Sequence, residues 1–167
     1  KNLDLENIGK FDLWGGLRKQ GLYKSSNLDK PLISVITVSL NSEKTIEKTI
    51  QSVLNQNYDN VEFIIIDGKS SDQTFEIIKK YESSIDLWIS EKDTGIYNAI
   101  NKGLKICSGD VIGILNSDDE YTKDALSLAK IYFDKGADFV FGSVEKDRLL
   151  SGLNKEKINW KFNIYPG

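Results

Sequence analysis

Asp118 and Asp119 stand side by side in the stretch Asp110–Glu120, which reads Asp-Val-Ile-Gly-Ile-Leu-Asn-Ser-Asp-Asp-Glu. Five of the six residues from Val111 to Asn116 are apolar or glycine, the pattern of a strand covered on both faces in a parallel sheet. Adjacent carboxylates just past such a strand repel one another unless a cation or a proton shares the site, and in open α/β sheets ligands bind outside the carboxyl ends of strands. The pair therefore reads as a metal seat. The competing reading makes both acids turn formers and dipole partners of the helix that follows. Asp67 closes the predicted buried strand Val61–Ile66, and Asp93 lies a few residues past the run Ile85–Ser90. Four carboxylates on one sheet edge call for a divalent cation bound through oxygen, Mg2+ or Mn2+, which keeps one or two protein carboxylates and fills its remaining positions with water and phosphate. A ligand bearing a diphosphate is implied. Against this, Asp67 can be a turn residue before Gly68, and Asp93 can simply open the turn into the next helix.

Composition narrows the chemistry further. No histidine occurs among the 167 residues, which removes Ser-His-Asp and Cys-His catalysis, His-ligated zinc, and imidazole as acid or base. Carboxylates, amides, hydroxyls and lysine are what remain. The 22 basic and 25 acidic residues are scattered, for a net charge of −3, so there is no basic surface for nucleic acid. The single cysteine, Cys107, sits in a helical apolar pattern and is expected to pack in the core; it allows no intrachain disulfide, and a reducing cytoplasm is the simpler expectation. No apolar run is long enough to span a bilayer, and the first residues do not resemble a signal peptide. With no methionine even at position 1, the chain is expected to be a processed or recombinant piece.

The elements that must position these acids alternate. Residues 1–30 read as an N-terminal extension with an apolar cluster at Phe11, Leu13, Trp14 and Leu17, packed on its own domain or donated to a partner subunit. A buried strand is predicted over Leu32–Leu40, then a helix capped by Asn41 or Ser42 with the stripe Ile46, Ile50, Val53 and Leu54. A second strand follows at Val61–Ile66. The next helix starts near Asp72 and carries Phe75, Ile78 and Tyr81 on one side; Ile85–Ser90 is the third strand. A helix over Ile96–Cys107 presents Ile96, Ala99, Ile100 and Leu104, and after the fourth strand Thr122 caps a helix with Ala125, Leu128, Ala129 and Tyr132 on its stripe. Gly136 ends that helix, and Phe139-Val140-Phe141 is predicted as a short fifth strand before a polar tail. Strands alternating with amphipathic helices give an α/β fold, a mostly parallel sheet flanked by helices on both faces.

In sequence order, Ile33-Ser-Val-Ile-Thr-Val-Ser-Leu-Asn41, Val53-Leu-Asn-Gln-Asn-Tyr58, Ile64-Ile-Ile-Asp-Gly-Lys-Ser-Ser-Asp72, Asp93-Thr-Gly-Ile-Tyr-Asn-Ala-Ile-Asn-Lys-Gly103 and Ser108–Asp119 form a set that resembles the family 2 glycosyltransferases. The resemblance implies a Rossmann-like GT-A nucleotide-binding domain over residues 31–150, with residues 151–167 beginning an acceptor-side region. It implies that Ser39, Leu40 and Asp67 line the base and ribose pocket, and that the segment from Asp93 through Asn98 to Lys102 walls it. Asn116, Asp118 and Asp119 occupy the Asp-x-Asp region, where acids contact the ribose and hold Mn2+ or Mg2+ on the diphosphate. The implied partners are a nucleotide-sugar donor and a glycan or lipid-linked acceptor, in the branch that makes bacterial surface polysaccharides. A cytoplasmic or membrane-peripheral location and a homodimer are compatible with it. Three positions depart from the family pattern: Leu40 where a tyrosine is frequent, Gly68 where many members carry a second acid, and Asn116 where the first Asp of the pattern is frequent.

The implied reaction is displacement at an anomeric carbon, inverting, with a nucleoside diphosphate leaving. The acceptor hydroxyl needs a base, and in a histidine-free site that base is a carboxylate. In similar enzymes it lies in the acceptor half, so it is expected beyond Gly167, with Glu145 and Asp147 the weaker candidates. Trp160, Phe162 and Tyr165 are packing, acceptor-side or interface residues. The alternative from another class is a non-catalytic nucleotide-binding or scaffold module of a transferase complex. A phosphoryl-accepting signalling domain built on Asp67 is disfavoured, because the first strand lacks an acidic pair.

Overall fold

The computed structural model describes residues 11–27 and 29–142. In chain order these form β1 (Leu13–Gly15), a single 3-10 turn (Leu17–Gln20), β2 (Ile33–Ser39), α1 (Ile46–Leu54), β3 (Val61–Asp67), α2 (Thr74–Lys80), β4 (Leu87–Ser90), α3 (Ile96–Ile106), β5 (Val111–Asn116) and α4 (Ala125–Asp134). The chain divides into two compact units, Lys1–Leu126 and Ser127–Gly167. The first holds the whole sheet, in the order β1-β4-β3-β2-β5. β4, β3, β2 and β5 run parallel, and β1 joins β4 antiparallel. In the second, α4 ends at Asp134 and Gly136 turns the chain with φ +85°. Among the described residues no helix is long and apolar enough to cross a membrane.

The period of two along each strand sends alternate side chains to two separate cores. Ile33 and Val35 of β2 and Phe63 and Ile65 of β3 meet Ile46, Ile50 and Val53 of α1 and Ile77 and Ile78 of α2 on one face. Ile36, Val38, Ile64 and Ile66 meet Leu87, Ile89 and, from α3, Ala99 and Ile106 on the other. Each such aliphatic side chain contributes about 1.5–3 kcal/mol on burial. Helices thus cover both faces of a mostly parallel sheet, as the alternating pattern requires.

Several expectations are corrected. Thr45, not Asn41 or Ser42, is the residue before α1, because Asn41 adopts φ +52° and leads a turn first. Thr49 takes the buried place expected of Leu54, which is exposed. α3 buries Ala99, Gly103 and Ile106, and Ile96 and Leu104 face out. The reason is contact: a Cβ on Gly103 would stand 2.5 Å from Ile36 Cγ2, so the bare glycine marks where helix and strand touch. In α4 the buried residue is Leu126, and Leu128 is exposed. β5 is an edge strand with one face bare, Ile112 and Ile114 being 42% and 48% exposed, rather than a strand covered on both sides. Phe139-Val140-Phe141 forms no strand, and Phe139 and Phe141 are exposed; three alternating residues without a paired neighbour gain too little to hold an extended conformation. Cys107 follows α3 and packs partly against the second core. Glu145, Asp147 and the aromatic residues of the tail lie outside the described residues.

The extension before Pro31 is built into the sheet. Gly16, at φ +101°, turns the chain after β1 so that the Leu17 and Arg18 N–H groups donate to Ile85 O and Asp86 O at 2.9 Å. Arg18 then enters the interior, where its guanidinium pairs with Glu62 and donates to Ile106 O at 2.8 Å. Glu62 also accepts from Ser34 Oγ at 2.5 Å and from the Ser108 N–H at 2.8 Å. Both members of the pair are buried. Removing one partner of a buried pair leaves an uncompensated charge, so Arg18→Met is expected to cost about 3–5 kcal/mol in urea unfolding. A loss below about 1 kcal/mol would show that the hydroxyl and amide donors suffice for Glu62.

Candidate nucleotide and metal site

The register aligns the carboxyl ends of the parallel strands into a row. Ser90 of β4 is opposite Asp67 of β3, Asp67 is opposite Ser39 of β2, and Val38 is opposite Asn116 of β5. With about 4.8 Å between neighbouring strands, β3 and β5 stand nearly 10 Å apart across β2. The expected convergence of four carboxylates is therefore corrected: the strand that separates them spreads them out. Among the described residues no three of His, Cys, Asp or Glu gather into a group able to hold a metal ion.

Asp67 is 1% exposed, with its charge met from within. Oδ1 accepts from Ser70 Oγ at 2.5 Å and Ser39 Oγ at 3.4 Å, and Oδ2 accepts from Ser90 Oγ at 2.6 Å and the Ser70 N–H at 3.1 Å. This carboxylate organises the strand ends. The loops after β2 and β3 are then laced together. Asn41 N–H donates to Ser70 Oγ at 2.8 Å, and Asn41 Oδ1 accepts from the Ser71 N–H at 2.9 Å. Ser42 N–H donates to Thr74 Oγ1 at 2.7 Å, Glu43 N–H to Asp72 Oδ2 at 3.1 Å, and Gln73 N–H to Glu43 Oε2 at 3.1 Å. Desolvation pushes the Asp72 carboxyl up, but hydrogen bonds from Thr74 and Glu43 outweigh it and hold the group below its ordinary value.

Leu40 projects into solvent beside Gly68. A Cβ on Gly68 would lie 2.6 Å from Asp93 Oδ2 and 3.4 Å from Leu40 Cδ1, so the Asp93 carboxylate and the Leu40 methyl border the space that a side chain at position 68 would fill. Asp93 Oδ1 accepts from the Gly95 N–H at 2.8 Å, which closes the turn into α3. Lys102 is engaged within the protein: its Nζ pairs with Glu91 at 2.5 Å and donates to Lys92 O at 3.2 Å, tying α3 to the loop that carries Asp93. Asn98 is in the first turn of α3, half-buried, its N–H donating to Gly95 O.

Past β5, Asp118 and Asp119 are exposed on a turn, and Asn116 Nδ2 donates to Asp119 Oδ2 at 3.3 Å. Oxygen-only donors of this kind suit a hard divalent ion that keeps two protein carboxylates and takes its other ligands from water and phosphate. The residues present fit such an ion as part of its coordination shell, the two carboxylates of Asp118 and Asp119. The structure thus sets Ser39, Leu40, Asp67 and Asp93 around the ends of β2 and β3, Asn116 at the end of β5, and Asp118 and Asp119 just past it. The hydroxyl donors Ser70 and Ser90 and the Glu91 clamp were not foreseen. Ser90 lies 23 residues from Asp67, and Ser70, only three away, is a serine after a strand end that carries no signal of its own.

The family model described as "Glycosyl transferase family 2" matches residues 34–166. The chain belongs to that family. It is 41% identical over 100 residues, 58% of this chain and 40% of the relative, to TuaG of Bacillus subtilis, named for teichuronic acid biosynthesis. It is 36% identical over 120 residues, 71% of this chain and 47% of the relative, to the Escherichia coli UDP-Glc:alpha-D-GlcNAc-diphosphoundecaprenol beta-1,3-glucosyltransferase WfgD. Among solved structures it resembles S. aureus TarS 1-349 in complex with UDP-GlcNAc, with a TM-score of 0.57 and 28% identity over 62% of this chain and 31% of that one. The GT-A fold is thereby shown, and the chain spans less than half the length of these proteins.

Asp67→Ala strands the Ser70 N–H and is expected to cost about 1–3 kcal/mol by urea unfolding. Asp67→Asn should retain most of that, because its oxygen can take the Ser70 N–H while the Ser39 and Ser70 hydroxyls turn to accept from its amide. Equal losses in the two variants would contradict the hydrogen-bond scheme.

Proposed function

We propose that the protein transfers a sugar from a nucleotide-sugar donor to a hydroxyl on a glycan or lipid-linked acceptor, in the synthesis of a bacterial surface polysaccharide. The observation that carries this is the exposed Asp118–Asp119 pair past the carboxyl end of the parallel edge strand β5, in a chain of this family. The names of TuaG and WfgD support a surface-glycan product, and those of WfgD and TarS make a UDP-sugar the first donor to test.

In the reaction, the bond between the anomeric carbon and the diphosphate oxygen breaks, the acceptor oxygen bonds to that carbon from the opposite side, and the nucleoside diphosphate leaves. The nucleoside end is assigned to the space bordered by Leu40, Gly68 and Asp93, where the Asp93 carboxylate accepts a hydrogen bond and the Leu40 methyls give an apolar surface. Asn116 is assigned to the ribose as a neutral donor. Asp118 and Asp119 would hold Mg2+ or Mn2+. Such an ion, when bound, neutralises the charge that builds on the departing diphosphate. Lys102 keeps the Asp93 loop in place through Glu91. The acceptor proton goes to a carboxylate base, which we assign to the part of the relatives' length that this chain does not span.

Calorimetric titration of UDP into residues 1–167 tests this. Binding is expected with Mn2+ present, and should weaken at least tenfold, about 1.4 kcal/mol, in EDTA. The same chain should transfer sugar from a UDP-sugar slowly or not at all, for want of the base. Binding of equal strength with and without metal points to a non-catalytic nucleotide-binding module, and rapid transfer refutes the assignment of the base.

A further inference from the structure

The stretch from Thr49 to Asn57 contains part of the sequence resemblance, yet among the residues assigned to nucleotide or metal it hydrogen-bonds only a backbone carbonyl, that of Asp119. Its polar groups go elsewhere. Thr49 is fully buried on a helix face otherwise made of Ile46, Ile50 and Val53. A hydroxyl on such a face costs free energy unless it is hydrogen-bonded. Thr49 Oγ1 lies 3.0 Å from Ser117 O and 2.8 Å from Asp119 O, so one hydroxyl proton serves two carbonyls that bracket Asp118. Three residues on, Ser52 Oγ accepts from the Tyr121 N–H at 3.1 Å while donating to Thr49 O at 2.8 Å. Four residues further, the Gln56 amide donates to Thr122 O at 2.8 Å and accepts from the Leu126 N–H at 3.0 Å. Asn57 N–H donates to Lys123 O at 3.0 Å. Spacings of three and four residues put Thr49, Ser52 and Gln56 on one line along α1 and its C-terminal turn. Ahead of the helix, Ser42 Oγ meets Ser117 Oγ at 2.8 Å.

We infer that α1 is a polar splint for the acid-bearing loop, and that Thr49 is a positioning residue which sets the aim of Asp118 and Asp119 toward the cation. The loop has no secondary structure of its own between Asn116 and Ala125. Two adjacent carboxylates on an untethered turn would swing apart to relieve their repulsion, and a divalent ion would then have to reorder them on binding. Holding the carbonyls of Ser117 and Asp119 by one buried hydroxyl removes that reordering, because the backbone on both sides of Asp118 is set before the ion arrives. The inference rests on the reading of Asp118 and Asp119 as the cation seat, and it extends that reading to a helix that touches neither nucleotide nor metal.

The test compares Thr49→Val, of nearly the same shape but without the hydroxyl, with Thr49→Ser, which keeps it. Hydrogen exchange on the metal-free protein reads the splint itself. The Asp119 amide, which donates to Asn116 O at 3.1 Å, should exchange about tenfold faster in Thr49→Val and at the wild-type rate in Thr49→Ser. Titration of UDP then reads the consequence. In Mn2+ the affinity of Thr49→Val should fall about fivefold, the equivalent of one lost hydrogen bond, with the affinity in EDTA unchanged and Thr49→Ser restoring the difference. An unaltered exchange rate at Asp119, or an equal loss of affinity with and without metal, overturns the inference. A wild-type chain whose UDP binding ignores Mn2+ instead overturns the cation seat, and the exchange data distinguish the two failures. If Thr49→Val does not fold, Ser52→Ala carries the same measurements, since it removes the acceptor for the Tyr121 N–H.

Discussion

A carboxylate sealed inside a sheet must be met by donors, and β3 carries one near each end. At the amino end Glu62 is matched by a full positive charge from Arg18, together with Ser34 and Ser108. At the carboxyl end Asp67 is matched by serine hydroxyls and one amide, with no cation among its partners. Everything around these two groups follows from satisfying them. The arm before Pro31 is drawn into the interior to reach Glu62, and the ends of β2, β3 and β4 are drawn together around Asp67. From that second cluster the neighbouring loops leave with Leu40, Gly68 and Asp93 in one place.

The same arrangement changes the meaning of the acidic strand ends. Crowded carboxylates would demand an ion wherever they met. The sheet instead disperses the charge, burying Asp67, setting Asp93 beside Gly68 with one oxygen engaged, and leaving only Asp118 and Asp119 side by side in solvent. Adjacent, solvent-facing carboxylates thus occur in a single turn past β5. Two such groups suit an ion whose remaining ligands arrive as water and phosphate.

How far the amino-acid sequence foretold this depends on the range of the interaction. β2, β3 and β5 are short runs dominated by Ile, Val and other apolar residues, so their existence and their limits within a residue or two are readable, as is the exit of each onto a polar residue. β1 was not: Leu-Trp-Gly is too short for any period, and it becomes a strand only because β4 offers an open edge. On α3 the pattern finds Ala99 and Ile100 but not the flanking Ile96 and Leu104, because the register is set by Gly103 against Ile36, a contact between elements that no helical pattern contains. Asp118 and Asp119 announced themselves as adjacent acids, whereas the serines that hold Asp67 lie as far as 28 residues away in the chain. Thr49 did leave a trace, a polar residue on an apolar stripe, but its partners in the acidic loop could be named only from the three-dimensional arrangement.

The reach of Arg18 also has a consequence for the order of assembly. Its guanidinium bonds to Ile106, 88 positions away, and its partner Glu62 is shared with Ser108. Closing such a distance costs entropy that is recovered only when the far contacts exist, so pairings of this kind form late. During synthesis the arm is made before its berth, which is incomplete until the segment after α3 has followed. A segment made early in this domain is thus among the last of it to settle, and until then the flank of β4 lies open to other strands.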